Sequence, residues 1–233
     1  MGQIGKKGKS MEILRKLNIY WILPVLFLCV LLVISCSKRG KDTPVIIGIN
    51  SWTGYDPFIL AEQKNLFAKN NVNVKIKRFG SAQDEMRAMQ EGALQGAGFT
   101  MDEAVTLNES GYPVKIVLII DYSMGGDMVI GKRDVKSIRA LKGKRVGYEG
   151  SVVGEFLLSQ ALAANYIKER DVEFIEVRAE NWLSAFKGNT IDALVCFNPV
   201  ATILLNEEGG NLLFSSKDIP YRIIDVLIFS ESF

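Results

Sequence analysis

Val45-Ile46-Ile47-Gly48-Ile49-Asn50-Ser51-Trp52-Thr53-Gly54-Tyr55-Asp56-Pro57 is the stretch on which the rest of the chain is read. Its first five residues are a short apolar run of the kind that forms a buried strand in a parallel sheet. From Phe58 to Phe67 apolar residues recur at helical spacing. Asp56 is placed as the N-cap and Pro57 as the first helical residue, so free backbone N–H groups point out of the loop. A glycine, two aromatic rings and a helix N-terminus at the carboxyl end of a strand form a candidate small-ligand site. The same residues also suit a plain strand-to-helix turn with two half-buried rings.

Upstream, Lys6, Lys7, Lys9, Arg15 and Lys16 precede an apolar run over residues 19–34 that contains Pro24. The run is shorter than a comfortable membrane span and reads as a cleaved secretory signal covering residues 1–35. Val33-Ile34-Ser35-Cys36 resembles a bacterial lipobox, with Cys36 as the lipidated residue. Residues 36–44 are then a lipidated tether, carrying a fatty acyl group such as palmitate. The protein is expected to be exported and lipid-anchored to a bacterial membrane, on its periplasmic or extracellular face. Of 28 basic and 26 acidic residues the signal holds five basic ones and Glu12, which leaves 23 against 25 and a net charge of −2. The apparent basicity belongs to the export signal, so no nucleic-acid partner is supported.

The chain has no histidine, which removes the commonest general base and metal ligand. Cys196 lies in the apolar run Ala193-Leu194-Val195-Cys196-Phe197 and is read as a small core residue. There is no Ser/His/Asp set, no metal-ligand cluster and no phosphate loop. No catalytic residue, metal or cofactor is assigned, and the protein is read as a non-enzyme.

Beyond Val45 strand and helix patterns alternate. Residues 72–79 alternate strictly, residues 80–91 form a helix capped by Ser81, and Gly96-Ala97-Gly98-Phe99 is a short strand. Thr100-Met101-Asp102-Glu103 has capping-box spacing, and residues 114–120 make a fourth strand. This βαβαβαβ order implies a parallel, doubly wound sheet. Asp121-Tyr122-Ser123-Met124-Gly125-Gly126-Asp127 interrupts it as a crossover or hinge. A second set follows: strand 128–132, helix 135–141, strand 145–149, helix 152–168, strand 172–177, helix 179–187, strand 191–197, a helix from Pro199, and strands 211–215 and 223–230. The order suggests two similar lobes.

Ligands of such sheets bind outside the carboxyl ends of the strands. That collects Trp52, Thr53, Gly54, Tyr55, Ser81, Thr100, residues 121–127, Glu149-Gly150-Ser151 and Asn198-Pro199. Ser81, Thr100 and Asn198 are equally explained as helix caps. Trp52 and Tyr55 suit a cleft wall. Asp56, Asp102, Asp121, Asp127 and Glu149 fall near these strand ends and no arginine stands there, which favours a ligand with donor groups over a bare anion.

Trp52-Thr53-Gly54-Tyr55-Asp56-Pro57, Leu60-Ala61-Glu62, Thr100-Met101-Asp102-Glu103, residues 121–127, Leu141-Lys142-Gly143-Lys144-Arg145-Val146-Gly147, Glu149-Gly150-Ser151, Ile191-Asp192-Ala193 and Ile224-Asp225-Val226 run in order through the chain. Together they resemble the nitrate/taurine/sulfonate and thiamine-precursor group of ABC-transporter substrate-binding proteins. The resemblance implies a type 2 periplasmic-binding fold: two doubly wound α/β lobes joined by two crossovers, with ligand between them. Lobe 1 would be residues 45–121 plus 225–233, and residues 122–224 the hinge and lobe 2. Ligand contacts would fall on Trp52, Gly54, Tyr55, Ser81, Thr100, Ser123, Asp127, Ser151 and Asn198. The implied function is capture of a small polar organic molecule by a monomeric lipoprotein and its delivery to permease and ATPase subunits. The alternative is a non-transport sensing or interaction lipoprotein on the same fold. Gln95 departs from the family, which usually has Asp there, and the chain stops at Phe233, before the family's C-terminal helices of lobe 1. Apolar sheet surface of that lobe is therefore expected to stand uncovered.

Overall fold

The apolar run at the head of the decisive stretch is β1 (Val45–Ile49), whose last three residues are buried. The computed structural model describes residues 43–233; the signal, the lipobox and Cys36 lie outside the described residues. β1 pairs in parallel with β2 (Val74–Arg78) and β3 (Gly96–Thr100). The expected all-parallel order fails at the fourth strand. β4 (Val114–Tyr122) pairs instead with β10 (Ile224–Ser230), which returns from the far end of the chain and lies antiparallel between β3 and β4. The return strand is apolar enough for this central place: Val226 and Ile228 are fully buried.

The second sheet has the order β7-β6-β8-β5-β9, matching β2-β1-β3-β10-β4 position for position. Its strands are β5 (Asp127–Gly131), β6 (Arg145–Tyr148), β7 (Glu173–Glu176), β8 (Ala193–Phe197) and β9 (Asn211–Ser215). β6 runs parallel to β7 and β8, and β5 is antiparallel to β8. In each lobe the antiparallel fourth strand is the one that arrives from the other lobe. Two short crossovers make those passages, residues 123–126 and residues 216–223. The expected type 2 architecture is the observed one.

Helices cover the sheets: α1 (Asp56–Gln63), α2 (Leu66–Lys69), α3 (Ala82–Gln90), α4 (Met101–Glu109), α5 (Val152–Ala164), α6 (Trp182–Lys187) and α7 (Val200–Asn206). α5 buries Leu157, Leu158, Ala161 and Leu162 completely, the stripe that a 3.6-residue period produces. It ends at Ala164 rather than residue 168, because Tyr166 takes a positive φ of 60°. The helix expected at residues 135–141 is only a 3-10 turn, Ile138–Leu141. α1 begins at Asp56, not after it: a 3-10 turn, Thr53–Tyr55, leads straight in, Tyr55 takes the cap position, and no side chain caps it. Cys196 is buried in the core of the second lobe, as read from its apolar neighbours.

β4 is an edge strand, and its apolar residues are not covered. Ile116, Val117, Leu118 and Ile119 remain 44%, 56%, 51% and 49% exposed. With Pro57, Phe58 and Phe67 their neighbours Leu118 to Ile120 outline an open groove of about 660 Å³. An apolar strand with a free edge is a template for self-association. Replacing Val117 and Ile119 together by Lys is expected to reduce concentration-dependent light scattering of the full chain. Because both positions are half exposed, the change in unfolding free energy by urea titration should stay within about 0.5 kcal/mol per residue.

Candidate functional site

The carboxyl ends of β1, β3, β6 and β8 converge on the space between the sheets, as the winding of each lobe requires. A cavity lies there, lined from the first lobe by Trp52, Tyr55 and Thr100 and from the second by Asp127, Glu149 and Phe197. Its volume is about 30 Å³. That is room for about two water molecules.

An aromatic row crosses from one lobe to the other. The Trp52 ring meets Phe197 edge-on at 5.5 Å, and Phe197 meets Trp182 edge-on at 5.0 Å. The Trp52 indole N–H donates to Asp121 Oδ2 at 3.2 Å, which fixes the ring's orientation. Gly54 is needed beneath it: a Cβ there would sit 1.8 Å from Asp121 Oδ2 and 2.4 Å from Trp52 Nε1.

Tyr55, read as half-buried cleft wall, is only 1% exposed. Its hydroxyl donates to Asp225 Oδ1 at 2.6 Å, tying the loop after β1 to the start of β10. Burial, with Asp225 beside it, pushes the Tyr55 hydroxyl well above the usual range. Ser123 Oγ donates to Asp127 Oδ2 at 2.5 Å, accepts from Asp127 N at 3.2 Å, and lies 2.8 Å from Ser216 Oγ. The two crossovers thus meet at one hydroxyl pair, and that pair holds Asp127 toward the cavity.

The remaining expected contacts divide. Ser81 Oγ accepts from Asp84 N at 3.1 Å and Ser151 Oγ from Gly154 N at 3.3 Å, so both are caps. Ser151 also borders a second small cavity that shares Asp127 and Glu149 with the first. Thr100 forms its capping box with Glu103, which accepts from Thr100 N at 3.0 Å. Thr100 Oγ1 itself makes no hydrogen bond of ordinary geometry and is buried on the cavity wall. Asn198 turns to α7, where its Oδ1 accepts from Thr202 Oγ1 at 2.7 Å, and it borders neither cavity. Gly54, Ser81 and Ser123 lie behind the wall rather than in it.

Sequence reasoning passed over Glu103, Phe197 and Asp225 as site residues. Glu103 looked like half of a capping box, Phe197 like the end of a core strand, and Asp225 like part of the returning strand. Only the fold turns all three inward. The wall therefore holds four carboxylates, from Glu103, Asp127, Glu149 and Asp225, and no lysine or arginine.

Burial is the leading cause of shift for each acid. It raises Asp127 to about 6, against the hydrogen bond from Ser123. Glu149 rises to about 7, Glu103 to about 8 and Asp225 to about 9. Behind them Glu85, fully buried near Glu103, is also held well above the carboxylate range. Glu149 is 9% exposed, and its carboxylate has neither a hydrogen bond nor an ion pair among the described residues. The described residues contain no group of three or more His, Cys, Asp or Glu placed to hold a metal ion.

Residues 52–229 match the family profile described as NMT1/THI5 like. A binding protein of Brucella abortus (strain 2308) is 30% identical over 181 residues, 77% of this chain and 56% of its own length. The taurine-binding periplasmic protein of Escherichia coli K12 is 22% identical over 168 residues, 72% of this chain and 52% of its own. The chain thus spans a little over half the length of these curated relatives. Among solved structures, the alkanesulfonate-binding protein of Xanthomonas axonopodis pv. citri bound to MOPS superposes with a TM-score of 0.73 at 16% identity. That match covers 83% of this chain and 68% of the other, and it shows a shared fold.

The raised carboxyls have a consequence for stability. An unfolded Asp or Glu ionises near pH 4, so between that value and the folded one the folded state holds a proton that the unfolded state has released. Stability present at low pH is therefore lost as pH rises toward the folded values. The melting temperature without added solute is expected to fall between about pH 5 and pH 8, and Asp127→Asn or Glu149→Gln to flatten the fall.

Proposed function

The chain belongs to the NMT1/THI5-like family, and from that premise we propose that it is the solute-binding component of an ABC importer. It captures a small polar organic molecule between its lobes and hands it to a membrane permease, without turning it over. The observation that carries this reading is the cavity where the strand ends of both lobes meet, walled by rings from each side.

Two crossovers that meet at Ser123 and Ser216 form a natural hinge. The contacts across the mouth are of a kind that opens readily. Arg178 Nη2 reaches Asp84 Oδ2 at 3.3 Å, and Gln83 Nε2 donates to the Glu149 carbonyl at 3.2 Å. An exposed ion pair of this type contributes at most about 1 kcal/mol. A cavity of about 30 Å³ admits no ten-atom solute, so entry requires the lobes to part. Closure would then bury the solute against Trp52, Tyr55, Thr100 and Asp127, with Ser151 beside them. Gly54, Ser81, Ser123 and Asn198 would position those residues from behind. The closed surface is what a permease would read.

The lipobox at residues 33–36 supports anchoring of the exported chain through Cys36 to the membrane that holds the permease. Metabolic labelling with palmitate is expected to mark the wild-type chain and to fail with Cys36→Ser, which should also release the protein from the membrane fraction. Retention of label in that variant would remove the anchor assignment.

For the site, a solute at a hundredfold excess over its Kd is expected to stabilise the full chain by about 2.7 kcal/mol in thermal unfolding. Trp52→Ala is expected to weaken that solute's binding at least about tenfold, by loss of one cavity wall. Unchanged affinity in this variant would place the site elsewhere.

A further inference from the structure

We propose that the interlobe cavity takes a small organic cation, a protonated amine or amidine, in preference to a sulfonate or nitrate. This rests on the solute-binding reading above and names the chemistry of its ligand. The cavity wall offers the acidic side chains of Glu103, Asp127, Glu149 and Asp225 with no basic side chain among them, and Asp127 and Glu149 are the two that ionise first. Glu149 is the one with nothing to do. It is nine-tenths buried, borders both small cavities, and has no hydrogen bond or ion pair for its carboxylate. Arg178, which acts on it through space, is turned outward to Glu180 Oε1 at 2.7 Å and Asp84 Oδ2 at 3.3 Å.

A largely buried carboxyl without a partner is costly in its charged form, and a ligand N–H⁺ group supplies both the missing charge and the missing donors. Thr100 Oγ1 stands on the same wall as a further acceptor. Trp52 and Phe197 supply ring walls, against which a cation is attracted to the π-face and an anion is not. Helix N-termini, which would favour an anion, border the cavity but already carry acids: Asp56 stands in the first turn of α1, Asp84 and Glu85 in that of α3, Asp102 and Glu103 in that of α4, and Glu155 in that of α5. A sulfonate would meet no basic side chain on this wall, and every wall acid that ionises would repel it.

Proton occupancy of the wall couples binding to pH. Asp127 faces Asp121 and Asp102 along with Ser123, while Glu149 feels Arg178, Glu180 and Asp84. Glu103 sits near Asp102 and Glu149, and Asp225 near Tyr55, Asp121 and Asp127. Deprotonating Asp127 and Glu149 strengthens the attraction for a cation, so its affinity should rise between about pH 5.5 and pH 8.

The test uses the full chain in detergent, with thermal unfolding read against putrescine, ethanolamine and benzamidine on one side and methanesulfonate and nitrate on the other. At least one cation is expected to raise the melting temperature, less so at high salt, while neither anion does. Glu149→Gln is expected to raise the melting temperature without ligand, because one buried acid is neutralised. The same variant should weaken the bound cation by about tenfold or more. That pair of opposite effects separates a ligand contact from a structural one. Stabilisation by an anion and by no cation would overturn the inference and leave the solute-binding reading standing. Stabilisation by none of the five would overturn the inference and leave the solute-binding reading standing. A cation that binds Glu149→Gln as tightly as wild type would overturn the role of this wall.

Discussion

The hydrogen bond from Tyr55 to Asp225 joins residues 170 positions apart. It can exist only if the chain leaves the first lobe, builds a second one and comes back. The return strand β10 then lies between β3 and β4 and completes a sheet that β4 could not join directly. The start of that strand, the loop after β1 and the crossovers are thereby brought to one place. Tyr55 is buried there because its ring fills the floor of the loop and its hydroxyl has a carboxyl to reach.

From that constraint the cavity follows. Each lobe turns the carboxyl ends of its strands toward the other, and each supplies part of an aromatic row through Trp52, Phe197 and Trp182. Between them stand carboxyls whose burial raises their proton affinity. Such an arrangement detracts from the stability of the protein alone at any pH where those acids must ionise. The Ser123 and Ser216 hydroxyls, one from each crossover, keep Asp127 in place where the two crossovers meet.

Much of this was legible in the residues themselves. The β1 run, the alternation at residues 72–79, the caps at Ser81 and Thr100 and the α5 stripe are local patterns, and each appears where its period or cap chemistry places it. Where local reading failed, a local cause was missing or overridden. Over residues 135–141 only the 3-10 turn Ile138–Leu141 forms, with Ser137 at its start making no cap hydrogen bond, and Tyr166 ends α5 early through its backbone conformation. At the site, residues 52–55 and Glu149 announced themselves by lying at strand ends. Phe197, Glu103 and Asp225 did not, because a residue at a strand end or in a cap looks the same whether it faces core or cleft.

By itself, then, the sequence determined the alternating elements, the two-lobed order and the loop Trp52–Tyr55 as a place of interest, since hydrophobic period and capping chemistry act over a few neighbouring residues. Tertiary structure decided which carboxylates share one wall, that no cation stands among them, and that Tyr55 is floor rather than open wall. Those are questions of distance between residues up to 170 positions apart. Only the antiparallel return of β10 and the facing of the two sheets set those distances, and charge burial depends on them steeply.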